Sequence, residues 1–90
     1  MNGQSIEEQP SPTATRQPRI GDWVLYRFAD HKDAVRPACV VRAWSETLVN
    51  LDVLTDGQND AHYFQGENPA WKTSVEFGAG VYQWTWLESN

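Results

Sequence analysis

The sequence is poor in several residue types and patterns, and each shortage closes a class of function. Cysteine occurs once, at Cys39, so no disulfide forms within the chain. Its setting in "PACVV" is an apolar, β-prone run, which predicts a buried free thiol. Basic residues are scarce: seven Lys and Arg stand against twelve Asp and Glu, a formal net charge of −5. Duplex nucleic-acid binding draws much of its affinity from cations meeting phosphates, so this acidic balance argues against it. No apolar run approaches the ~20 residues of a membrane span. The start lacks the basic residues and the roughly 7–15-residue apolar run of a secretory leader. The expectation is a protein of the cytosol, without a membrane partner, or one that leaves the cell inside an assembled particle.

Catalytic and metal patterns are missing as well. Ser45, Thr73, Ser74 and Cys39 have no nucleophile-elbow or phosphate-loop sequence around them. His31 and His62 lie in polar stretches beside Asp33 and Asp60, without a ligand spacing backed by a helix or knuckle. "DGQND" lacks the alternating ladder and downstream glutamate of a calcium loop. The reading is a non-enzymatic protein with no cofactor.

What the chain does have is aromatic. All five tryptophans, three tyrosines and three phenylalanines fall between Trp23 and Trp86. A domain this small has a large surface for its volume, and aromatics that each bury on the order of 150–250 Å² compensate. Residues 1–18, with Pro10, Pro12 and Pro18 and little that is apolar, read as a disordered arm. Residues 19–90 read as the folded domain.

Within it, "GDWVLYRF" opens with a turn at Gly21-Asp22 and continues β-prone to Phe28. "ADHKDAVRP" reads as a loop. "ACVVRAW", Ala38 to Trp44, is a second strand, with Val40, Arg42 and Trp44 on one face. "SET" is a turn. "LVNLDVL" alternates Val49, Leu51 and Val53 with Asn50 and Asp52, so one face is buried and the other wet. "TDGQND" carries the Asp-Gly hairpin signal. "AHYF" is open between a short strand and a loop pinned by Tyr63 and Phe64. "WKTSVEF" places Trp71, Thr73, Val75 and Phe77 on one face, and "VYQWTWLE" places Tyr82, Trp84 and Trp86 on another. No stretch sustains a helical period. Five short strands predict an all-β fold: a small, strongly bent antiparallel barrel of SH3-like architecture, its last strand pairing with the first to close the barrel and remove an exposed edge.

Binding residues follow from the same pattern. Arginine inside a β-run is out of place unless it is paired or faces a ligand, and Arg42 lies beside Trp44, a combination that stacks bases and clamps anions. A cross-strand partner in Asp52 or Glu76 is the plainer expectation. "WKTS" offers Trp71 and Thr73 on one face and Lys72 on the other. Three aromatics at the C-terminal strand overfill one small interior, so one of Trp84 and Trp86 is expected in the core and the other at a rim. The candidate set is Arg42, Trp44, Trp71, Lys72, Thr73, Trp84 and Trp86. Tryptophan is enriched at interfaces, so a homo-oligomer joined through Trp44, Trp71 and the outward member of the final pair is expected.

The blocks "GDWVLY", "RPACVVRAW", "VNLDVLTDGQND", "WKTSV" and "WTW", in this order over about three quarters of the chain, resemble a group of small phage and prophage proteins of unknown role. The resemblance implies a phage product acting in the cytoplasm of an infected bacterium and brings no catalytic residue with it. Three functions fit. The first is a counter-defence protein that blocks a host or defence protein with an acidic, aromatic-rimmed surface. The second is a binder of small signalling nucleotides, with Trp44 or Trp71 on the base and Arg42 and Lys72 on phosphate. The third is a virion component such as a decoration or joining protein.

Overall fold

The computed structural model describes residues 16–87. Most of the expected arm, residues 1–15, lies outside the described residues. Packing nevertheless reaches past the expected boundary at Arg19: Pro18 is fully buried, and the Arg16 guanidinium lies 3.8 Å above the Trp86 ring.

The fold is all-β apart from one short helix. Its strands are β1 (Trp23–Arg27), β2 (Val35–Ala43), β3 (Leu48–Val53), β4 (Ala70–Glu76) and β5 (Trp84–Trp86). They form one antiparallel sheet in the order β4-β3-β2-β1-β5. The last strand pairs with the first, as expected. The pairing does not close, however: β4 and β5 remain as edges, joined only by an isolated bridge between Phe77 and Trp84.

Cross-strand rows explain which residues point inward. Trp86, Val24, Ala38, Val53 and Ala70 stand opposite one another across all five strands, and all are buried. The neighbouring row, Val40–Leu51–Lys72, also faces in. Side chains alternate along a strand, so the row between these two must face out. Burial of each Val or Leu contributes about 1.5–3 kcal/mol. Trp84 sits fully buried against Trp86 at 5.1 Å and Phe77 at 4.9 Å, both edge-on, and donates its Nε1–H to the Thr47 carbonyl at 2.9 Å. Trp86 is buried too, so the expectation that one of the pair lies at a rim is wrong. Two features make room. Tyr82 adopts φ 66° outside β5 and is exposed, so its ring leaves the core. The short β5 then places two rings, not three, on the inner face.

Two bulges overturn the expected strand phases. In β2 the register slips between Val40 and Arg42, so Arg42 stands opposite Asn50 and faces away from buried Val40. In β4 the slip falls at Thr73 and Ser74, the latter at φ 56°, so Trp71 and Thr73 point out while Val75 points in. β2 also starts earlier than Ala38 and contains Pro37. The ring is tolerated because the Pro37 nitrogen and carbonyl face the β3 side, where the ladder has ended and the carbonyl accepts from Leu54 N–H at 2.9 Å.

"TDGQND" is not a hairpin. It winds into a 3₁₀ turn (Gly57–Asp60) that runs into α1 (Ala61–Phe64). The cause is Asp60. Its carboxylate accepts Asp56 N–H at 2.6 Å and receives the Arg36 guanidinium in a fork, Nε at 2.7 Å and Nη2 at 2.9 Å. This ion pair drags the segment back over β2 and lets α1 drop Phe64 onto Phe28, 5.2 Å away.

Candidate binding face

The outward row adjacent to the core row reads Trp23–Cys39–Asp52–Trp71, one residue from each of β1 to β4. Trp23 is 47% and Trp71 60% exposed. Cys39 is half-buried beneath this face, not enclosed as its sequence setting suggested. Asp52 is half-buried and directly opposite Trp71. Among the described residues its carboxylate makes no hydrogen bond or ion pair, and neither Trp23 nor Trp71 has a cation above its ring.

The next outward row is built around Asn50. Its Oδ1 accepts three donors: Trp44 Nε1 at 3.0 Å, Thr73 Oγ1 at 3.0 Å and the Ser74 backbone N–H at 2.8 Å. Alternation in β3 marks Asn50 as a wet residue, yet it is buried, 7% exposed, because the β4 bulge and the Trp44 ring fold over it. The bulge thus gains an acceptor for a backbone amide that the ladder no longer satisfies. Trp44 is tied to Asn50 by this bond and is 52% exposed, with the Arg42 guanidinium 4.2 Å from its ring centroid. Among the described residues Arg42 makes no ion pair, so the expected partnership with Asp52 or Glu76 is replaced by stacking on Trp44.

The predicted residues therefore divide. Arg42, Trp44, Trp71 and Thr73 share the outer face. Lys72 lies opposite inward-facing Leu51, its ammonium 5.4 Å from the Phe64 ring. Trp84 and Trp86 are core. The face also contains two residues outside the candidate set, Trp23 and Asp52, the latter expected only on the wet face of its strand and as a partner for Arg42. Apolar residues occupy both phases of "WVLY", so alternation is silent about Trp23. Its orientation follows from Val24 and Tyr26, which are buried. A shallow concavity of about 130 Å³ opens beside Leu25 and Thr85, the outward row on the far side of Trp23.

No family model, curated protein or solved structure matches the chain.

Proposed function

We propose that the protein is a non-enzymatic, phage-encoded binding module that acts in the infected bacterium by covering a host or defence protein. The contact surface is the outer face of the sheet, with Trp23, Trp44 and Trp71. The observation that carries this reading is that three of the five tryptophans stand about half exposed or more on one face of a hydrogen-bonded sheet. Water contact with that much indole is unfavourable, and tryptophan is among the residues enriched at interface hot spots. A rigid sheet loses little conformational freedom when such a face is covered.

A nucleotide reading receives less support, because Arg42 and Lys72 point to opposite faces and do not converge on one phosphate. The test is affinity capture from host lysate with the tagged chain and with a Trp23→Ala/Trp71→Ala variant run in parallel. A stoichiometric partner retained by the wild type and lost by the variant is expected. A partner retained equally by both refutes the assignment of this face.

A further inference from the structure

The five tryptophans fall into three groups. Trp84 is enclosed by aromatic rings and bonded to a carbonyl. Trp44 and Trp86 each carry an arginine of this chain on their ring, Arg42 at 4.2 Å and Arg16 at 3.8 Å. Trp23 and Trp71 are exposed and carry no cation among the described residues, and the Asp52 carboxylate stands in the row between them without a partner there.

We infer that the Trp23–Asp52–Trp71 row is the docking site of an extended, arginine- or lysine-bearing segment of the partner protein. This rests on the functional reading above and supplies the partner's chemistry. Directly opposed residues in an antiparallel pair have Cβ atoms about 4.5–5.5 Å apart. A guanidinium laid on the Trp71 ring therefore reaches the Asp52 carboxylate from the same position, joining cation–π attraction to a charge-assisted hydrogen bond. Adjacent strands are about 4.7–4.9 Å apart, so Trp23, three strands from Trp71, lies roughly 14 Å away. An extended segment advances about 3.3 Å per residue and spans that distance in four or five residues. The second ring then receives a second cation or an apolar side chain. The chain's net charge of −5 favours the approach of such a segment. A second copy of the chain fits this face less well, because a two-fold axis near the row centre brings Asp52 towards its own symmetry mate.

The experiment titrates the full chain with a nona-arginine amide and with its nona-citrulline isostere, following the Trp indole N–H resonances and the binding heat. The expected result is binding of nona-arginine only, with shifts at Trp23 and Trp71 and none at Trp84. Asp52→Asn and Trp71→Ala each weaken it about tenfold, the range of one charge-assisted bond or one cation–π contact, while Glu46→Gln, on the β2–β3 turn, leaves it within twofold. Equal binding of the two peptides, equal affinity of wild type and Asp52→Asn, or a loss in Glu46→Gln matching that in Asp52→Asn overturns the inference. So does a wild-type dimer in light scattering that is strengthened by Asp52→Asn, which assigns the face to a second copy. A captured host partner sensitive to Trp71→Ala but indifferent to Asp52→Asn overturns the basic segment while leaving the functional reading intact. Both variants sit at exposed or half-buried positions, and Asp52→Glu, which restores the charge, recovers binding if the loss in Asp52→Asn is electrostatic.

Discussion

Asn50→Ala is the substitution that most directly tests how the outer face is assembled. Three donors converge on one oxygen, and all three lose their acceptor at once. The Trp44 indole and the Thr73 hydroxyl belong to exposed residues and can rehydrate, so each costs only the net value of a hydrogen bond, about 0.5–1.5 kcal/mol. The Ser74 amide is held by the bulge backbone and reorients less freely, so its loss lies at the upper end of the same range. The loss expected is about 2–4 kcal/mol once partial relaxation of the bulge is allowed. A domain of this size holds about 4–11 kcal/mol in total, so the variant loses a large share of its stability and unfolds well before the wild type in urea.

Asn50→Asp is the control that separates hydrogen bonding from packing. Every group around Oδ1 is a donor, and the Asn50 amide nitrogen makes no hydrogen bond among the described residues. A carboxylate therefore keeps all three bonds and strengthens them. Protonation at low pH weakens these bonds, because a neutral carboxyl is a poorer acceptor than a carboxylate. The assay is urea unfolding followed by tryptophan fluorescence at pH 7 and pH 3. A midpoint for Asn50→Ala equal to wild type, or Asn50→Asp less stable than Asn50→Ala at pH 7, refutes the reasoning.

Other outcomes follow from the same contacts. Asp60→Asn is expected to cost about 3 kcal/mol, the lower end for breaking a buried ion pair, because the Arg36 side chain is 24% exposed and reaches water; circular dichroism melts measure it. The Arg36 guanidinium holds the Asp60 carboxyl below the ordinary carboxylate range, so the stability that Asp60 contributes is complete above about pH 4 and fades as pH drops through the lower folded value. A wild-type acid transition no steeper than that of Asp60→Asn contradicts this. Leu51→Ala, at a fully buried position, is expected to cost roughly 2–5 kcal/mol in chemical denaturation, and an unchanged midpoint contradicts the strand phase. Ser74→Gly relieves a left-handed backbone, φ 56°, and is expected to gain about 0.5–1 kcal/mol in the same assay, whereas Ser74→Val loses stability.

The inner surface was legible in the sequence because it is written in alternation. Val49, Leu51 and Val53 mark β3, and the final Trp-x-Trp marks β5 beside β1. The outer surface was not legible, because both bulges invert the alternation in mid-strand. A pattern of period two cannot show an inserted residue when apolar residues occupy both phases, as in "ACVV", or when all are polar, as in "KTS". Asn50 misled for a related reason: its burial depends on what the β4 bulge and Trp44 place above it. The Asp-Gly turn misled because its outcome is decided by Arg36, 24 residues from Asp60. Local turn chemistry carries no information about that distant guanidinium.

The division of the tryptophans between the two faces bears on what selection acts upon. Trp84 and Trp86 lie in the core of a small domain, where each removes a large area from water. Trp23 and Trp71, 47% and 60% exposed, leave about half of each side chain in water, and the rows beneath them are already closed by Val24, Ala38, Val53 and Ala70. A polar β-former such as threonine satisfies the backbone at both positions equally well. The residues that hold the sheet together and the residues that face the solvent row are thus separable, because alternation assigns them to opposite sides of the same strands. Sequence change at Trp23, Asp52 and Trp71 alters the chemistry of the face with little effect on the fold, which is the condition a binding surface needs in order to follow a changing partner.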